Sequence, residues 1–218
     1  QQNIENIIKR TMTYCSDSDI ADRVDQDWFD NFISLAEGIS NKTMQDLWAK
    51  ILAHEISQAG SFSHKSLTAF RTMGIYEAKL LAKICSLSVK DASKKNIRLI
   101  SGVYQKPSIF NFLDKKRHQT INLSEFGISY AELLTLADNN LIFIQETESS
   151  LLAKNEQLHF NYNGTVLDLS AKRANCTLSF YKLTPIGTEL AALIGEVVDA
   201  NYFQSLKQLL SYHFNVIN

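Results

Sequence analysis

The apolar residues of this chain follow a helical period up to about residue 88 and a different pattern beyond it, and this change limits what the chain can fold into. Trp28, Phe32, Leu35, Ala36 and Ile39 fall at i, i+4, i+7, i+8 and i+11, one face of a 3.6-residue helix. They belong to a helical stretch expected over 4–39 in two pieces. Asp25, Asp27 and Asp30 surround the start of the second piece, where carboxylates suit the positive end of the helix dipole. Met44, Leu47, Trp48, Ile51 and Leu52 make the stripe of a helix expected from Lys42 to Ile56. A short helix should follow from Ser63 to Met73. Gly74 and Glu77, a glycine variant of a capping box, should open another through Cys85.

After residue 88 the signals are those of strands and turns. Ile97–Tyr104 reads as a strand ended by Pro107, and Leu141–Gln145 as another. Ser129-x-x-Glu132 is a capping box for a helix over 129–139. Asn163-Gly164, between LHFNY and TVLDL, is the pair a type I′ hairpin requires. A strand from Thr177 to Leu183 leads into Thr184-Pro185, an N-cap with proline at the first helical position. The helix after it should carry Leu190, Leu193, Ile194 and Val197. A last helix over 201–214 should carry Phe203, Leu206, Leu209, Leu210 and Phe214. The expected fold is therefore mainly α (α+β), with a break near 88–96. An all-helical bundle occupies 1–90, and an α+β module with a small antiparallel sheet and C-terminal helices occupies 91–218. The element order of that module is similar to a degenerate winged helix.

No run of eighteen apolar residues occurs, so no membrane-spanning helix is expected. Gln1 to Lys9 lacks the basic-then-apolar order of a signal peptide. The three cysteines, Cys15, Cys85 and Cys176, stand far apart without a C-x-x-C, which disfavours a disulfide framework or a zinc knuckle and favours a cytoplasmic setting. Cys85 lies on an apolar helical stripe and reads as core. Neither a metal nor a cofactor is expected.

Charge is unevenly spread. Residues 90–120 carry eight basic and two acidic side chains, a local net of +6, whereas 121–218 carry five basic and ten acidic, a net of −5. Lys94, Lys95, Arg98, Lys115, Lys116 and Arg117 make this island a candidate for anion or nucleic-acid contact, with Lys172 and Arg173 near the hairpin. One carboxylate sits on the wrong face. With Met44 at 0° and about 100° per residue, Glu55 falls near 20°, in the middle of the apolar stripe of the 42–56 helix. Unpaired there, it would cost several kcal/mol. Its nearest candidate partners are the N–H groups of the turn at Gly60, Ser61 and Ser63 that opens the next helix, with His64 and Arg71 as alternatives. Two readings follow: a structural buckle between two helices, or a general base with His64 beside it. His54-Glu55 lacks the second histidine of H-E-x-x-H, because Gln58 stands there.

The stretch SNKTMQDLWAKILAHEISQAGSFSHKSLTAF (Ser40–Phe70) resembles the signature of a bacterial family known only as a domain of unknown function. Its pattern is S-N-x-x-M-Q-x-L-W-A-x-I-L-x-x-E followed by P-G-S-F-S, and Asp27-Trp28 fits it too. Ala59 replaces the family's proline, and His64-Lys65-Ser66 stands where the family has a basic residue and threonine. The resemblance implies a bacterial cytoplasmic protein and supplies no activity.

Three functions remain open. A protein-interaction or regulatory module, docking a protein partner or a second copy, is preferred. The 129–139 helix contains no lysine or arginine and two acids, so it lacks the groups that hold phosphates and read guanine. Nucleic-acid binding through the basic 94–117 segment is the alternative. An enzyme using Glu55 and His64 is the third, since no G-x-S-x-G, P-loop, G-x-G-x-x-G or metal-ligand cluster occurs. Tyr202, Phe203, Tyr212 and Phe214 near the end are expected to pack in the core or against a second copy.

Overall fold

The computed structural model describes residues 1–15, 24–93, 96–108 and 113–217. Its contacts divide the chain into two compact units: Gln1–Gly74 with Glu189–Leu193, and Ile75–Thr188 with Ile194–Asn218.

The first unit contains four helices among its described residues up to Gly74: α1 (Gln2–Thr11), α2 (Gln26–Ala36), α3 (Lys42–Ser57) and α4 (His64–Thr72). Each later start follows a cap legible in the sequence. Asp25 accepts from the Trp28 N–H, Asn41 from Thr43 and Met44, and Ser63 from Ser66. Of the expected stripes, Trp28, Phe32, Ala36, Ile39, Trp48, Ile51 and Leu52 are buried, and Leu35, Met44 and Leu47 are half-buried. Phe32, Ala36, Trp48, Ala49 and Ile51 are fully enclosed with Ile7 and Leu67. Phe32 meets Trp48 edge-on at 5.2 Å, and Trp48 meets Phe70 at 5.3 Å. Such aromatic contacts add to area burial. The Trp28 indole N–H donates to the Phe62 carbonyl at 2.6 Å, fixing the turn before α4.

The second unit corrects the expected fold class. In place of a winged-helix-like module with a small sheet, it is built on one eight-stranded antiparallel sheet. Its strands are β1 (Val89–Asp91), β2 (Ile97–Gln105), β3 (His118–Thr120), β4 (Thr147–Glu148), β5 (Gln157–Tyr162), β6 (Thr165–Ala171), β7 (Cys176–Lys182) and β8 (Phe214–Ile217). The order is β4-β7-β2-β1-β5-β6-β8, with β3 paired to β2 off this path. The helices are α5 (Ile75–Leu87), α6 (Tyr130–Asp138), α7 (Pro185–Ala191) and α8 (Ala200–Ser211). The last residues of α7 fall in Glu189–Leu193, which the contacts count with the first unit.

Three local expectations change with the sheet. Residues 141–145 make no strand; Ile142 forms only an isolated bridge to Leu183. The helix after Pro185 stops at Ala191, so Leu193, Ile194 and Val197 lie beyond it. Phe214 opens β8 rather than closing α8, and β8 pairs with β6 from Phe214↔Ala171 to Ile217↔Asp168.

Other local signals hold. Asn163 (φ 46°) and Gly164 (φ 89°) join β5 and β6 with both residues at positive φ, as a type I′ turn demands. The turn also anchors α5, because the buried Asn163 amide donates to the Cys85, Ser86 and Val197 carbonyls at 2.9–3.1 Å. Ser129 and Glu132 form the reciprocal capping box of α6, and Thr184 caps Gly187. Gly187 is required by close approach, since a Cβ there would lie 2.0 Å from the Leu141 carbonyl oxygen. Helix α8 is tied to the sheet by the Tyr202 hydroxyl, which donates to the Ile100 carbonyl at 2.7 Å, and by Phe203 stacked on Tyr162 at 4.6 Å.

Candidate functional site

Lys115–Arg117 forms a single 3-10 turn just before β3, and Lys172 and Arg173 occupy the loop between β6 and β7. The structure brings the two segments together around Tyr212, one residue past α8. Asp114 caps the turn by accepting from the Lys116 N–H at 2.9 Å. Its other oxygen accepts from the Tyr212 hydroxyl at 2.7 Å and from the Arg173 guanidinium at 3.0 Å. The Arg173 guanidinium lies 4.6 Å from the Tyr212 ring centre and the Lys116 ammonium 5.3 Å, so one aromatic ring holds two cations. Lys172 donates to the Ser211 carbonyl at 2.6 Å, at the negative end of α8.

The Tyr212 hydroxyl, followed by the Lys116 N–H and the Arg173 guanidinium, holds the Asp114 carboxyl at about 2. Asp114 thus stays ionised and offsets Arg173. Among the described residues, Lys115, Lys116, Arg117 and Lys172 have no carboxylate partner, and the Arg117 Nε is buried without an acceptor. The outcome is a cationic surface on which, among the described residues, Asp114 is the one carboxylate paired with a cation.

Beneath it lies His213, fully buried, its Nε2 3.0 Å from the Lys116 carbonyl. A carbonyl only accepts, so Nε2 carries the proton, and Nδ1 faces the Cys176 sulfur at 3.8 Å. Burial pushes the His213 pKa down and the Cys176 thiol up. Neutral imidazole beside protonated thiol is packing chemistry, the opposite of the charged pair that activates a cysteine nucleophile.

The other cations of the basic island are placed differently. Arg98 lies over the Phe180 ring at 5.1 Å. It is seven residues from Gln105 on β2, roughly 23 Å along the strand from the end that meets the β6–β7 loop. Lys94 and Lys95 lie outside the described residues.

Glu55 is 2% exposed. Its two oxygens accept from the Gly60 N–H at 2.6 Å and the Phe62 N–H at 3.1 Å, closing the turn between α3 and α4. Among the described residues it has no hydrogen bond or ion pair to His64 or Arg71. A general base needs an oxygen that reaches a substrate proton; both of these face the chain's own amides. Ser61 donates to the Gln58 carbonyl at 2.6 Å. The start of α4 is satisfied by Glu189, one oxygen of which accepts from the Ser63 N–H and the Ser66 hydroxyl, each at 2.6 Å. Sequence reading did not place Glu189, Asp114 or His213 at a site, and it took Tyr212 only as an aromatic of the core or of a contact with a second copy. Asp114 had a local signal, an aspartate directly before K-K-R; the other three are fixed by distant contacts and had none.

Among the described residues, no helix is long and apolar enough to cross a membrane, and no group of three His, Cys, Asp or Glu could hold a metal ion. The chain belongs to the family described as Protein of unknown function (DUF2806), which matches residues 1–207. No curated protein and no solved structure matches it.

Proposed function

We propose that this protein is a non-catalytic interaction module of the bacterial cytoplasm, docking an acidic protein partner on the cations around Tyr212. The observation that carries this reading is the meeting of the Lys115–Arg117 turn with Lys172 and Arg173 around Tyr212, where, among the described residues, Asp114 is the one carboxylate bonded to a cation. Like charges held together without counter-ions repel each other, and an anionic partner relieves that repulsion. The aromatic ring at the centre pre-organises two of the cations, which lowers the entropy lost on binding. A protein partner fits better than a nucleic acid. Phosphate backbones are gripped by many cations at once, and residues 121–218, which supply most of the surrounding unit, carry a net of −5.

The test uses poly-L-glutamate, a random-sequence DNA duplex and single-stranded RNA as probes, at 20 mM and 200 mM salt. Poly-L-glutamate should bind, weaken with salt, and lose at least tenfold in affinity to a K115E/K116E/R117E variant. Tighter binding to duplex or RNA than to poly-L-glutamate, lost in the same variant, would transfer the site to nucleic acid.

A further inference from the structure

Strand β3 is paired on one side only, and its outward groups can be assigned from the ladder. The Ile121 N–H donates to the Ser101 carbonyl at 2.8 Å, continuing the register Gly102↔Thr120, Val103↔Gln119 and Tyr104↔His118. Pairs in an antiparallel ladder alternate between bonded and non-bonded. The pairs at Ile121 and Gln119 are therefore the bonded ones, and the backbone N–H and C=O groups of His118 and Thr120 point away from β2. Both residues are exposed, and no other strand pairs with β3 among the described residues.

Thr120 of this edge also lines an open groove of about 380 Å3, walled by Gln119–Asn122, Glu125 and Phe126 and by Ser205, Gln208 and Leu209 of α8. Its volume lies within the range of ligand sites, roughly 300–1,000 Å3. The Gln119 side-chain carbonyl, part of the wall, is buried without a donor. Glu125, also in the lining, is bonded to the Asn122 amide. Among the described residues no cation lines the groove itself; the cations adjoin it along the chain, because Lys115–Arg117 leads directly into β3 and Tyr212 follows α8 by one residue.

We propose that this groove receives an extended acidic peptide as an added strand beside β3, its acidic side chains set against Lys115, Lys116 and Arg117. Main-chain bonds to His118 and Thr120 would supply sequence-independent affinity, and the cations would choose the partner and its register. A three-residue edge spans only about 10 Å, so the charged end must contribute much of the binding. This inference rests on the acidic-partner reading above and adds to it the binding mode.

The probe is a fluorescein-labelled peptide with a Val-Thr-Val-Thr-Val centre and three glutamates at each end, which serves either strand direction. Comparison peptides are N-methylated on alternate central residues, in each phase, or carry glutamine for glutamate. Anisotropy should show binding to the parent peptide, with at least a tenfold loss in one N-methylated phase and in the glutamine version. Hydrogen exchange at the His118 and Thr120 amides should slow when the parent peptide is bound. Equal binding of the parent and both N-methylated forms, with the glutamine version inactive, would overturn strand addition and leave the acidic-partner reading standing. No binding of the parent below about 1 mM at 20 mM salt would overturn both.

Discussion

Glu55 and the cations around Tyr212 are both concentrations of charge, yet the chain treats them in opposite ways. Glu55 is sealed, and each of its oxygens has a backbone donor in the same turn. The cationic surface is open, and only Arg173 has a carboxylate partner among the described residues. A charge that folding must satisfy is paired by the chain itself. Cations left short of counter-charges cost some repulsion, which the acidic partner proposed above would relieve. On the function proposed above, the unusual carboxylate is the guide to stability and the ordinary-looking lysines are the guide to function.

The comparison breaks first at Glu55, where the largest effect is expected. Glu55→Ala leaves two backbone N–H groups without acceptors in a closed turn, and should destabilise by on the order of 3 kcal/mol. Glu55→Gln retains one acceptor and should cost about half as much. Urea unfolding followed by tryptophan fluorescence checks both, because Trp28 and Trp48 are core residues of the same unit. A loss below 1 kcal/mol for the alanine variant would mean that Glu55 is not the closure of the turn.

How far each region could be read from sequence follows the same division between local and distant causes. The helices, their caps at Asp25, Asn41, Ser63 and Ser129, and the Asn163-Gly164 turn all rest on residues within four positions of one another. The size of the sheet does not. β1 and β3 are three residues long and β4 two, too short for an alternating pattern, and β3 is wholly polar. Phe214 continues the period of Phe203, Leu206 and Leu210, so β8 looked helical until its pairing with β6 was known. At the candidate site the lysines and arginines were visible as charge. Their meeting point was not, because Tyr212 reaches Asp114 across 98 positions and Arg173 reaches it across 59.

A smaller effect should appear with pH beneath the cationic surface. Burial holds the His213 pKa below the ordinary 6.5, outweighing the favourable bond to the Lys116 carbonyl; Arg173 also lowers it and Asp114 raises it. The folded imidazole thus binds a proton less readily than the unfolded one. Stability from this group is intact above pH 6.5 and is lost as pH falls from there toward the depressed folded value. Asp114 does not titrate in that window, since its own pKa lies at about 2. The urea midpoint should fall between pH 7.5 and pH 5.5 in the native protein and fall less in His213→Asn. Equal slopes in the two proteins would show that His213 is not held neutral.

The smallest effect on stability is the sharpest test of the contrast. Lys115 is exposed, has no carboxylate partner among the described residues, and is followed directly by Lys116 and Arg117. Replacing it with glutamine removes one repelling charge and no ion pair. The expected change is a few tenths of a kcal/mol toward greater stability, accompanied by weaker binding of poly-L-glutamate. Opposite signs in the two measurements would identify a side chain kept for its partner at the expense of the fold. A loss of stability near 1 kcal/mol would instead place Lys115 with Glu55, among the charges the chain needs for itself.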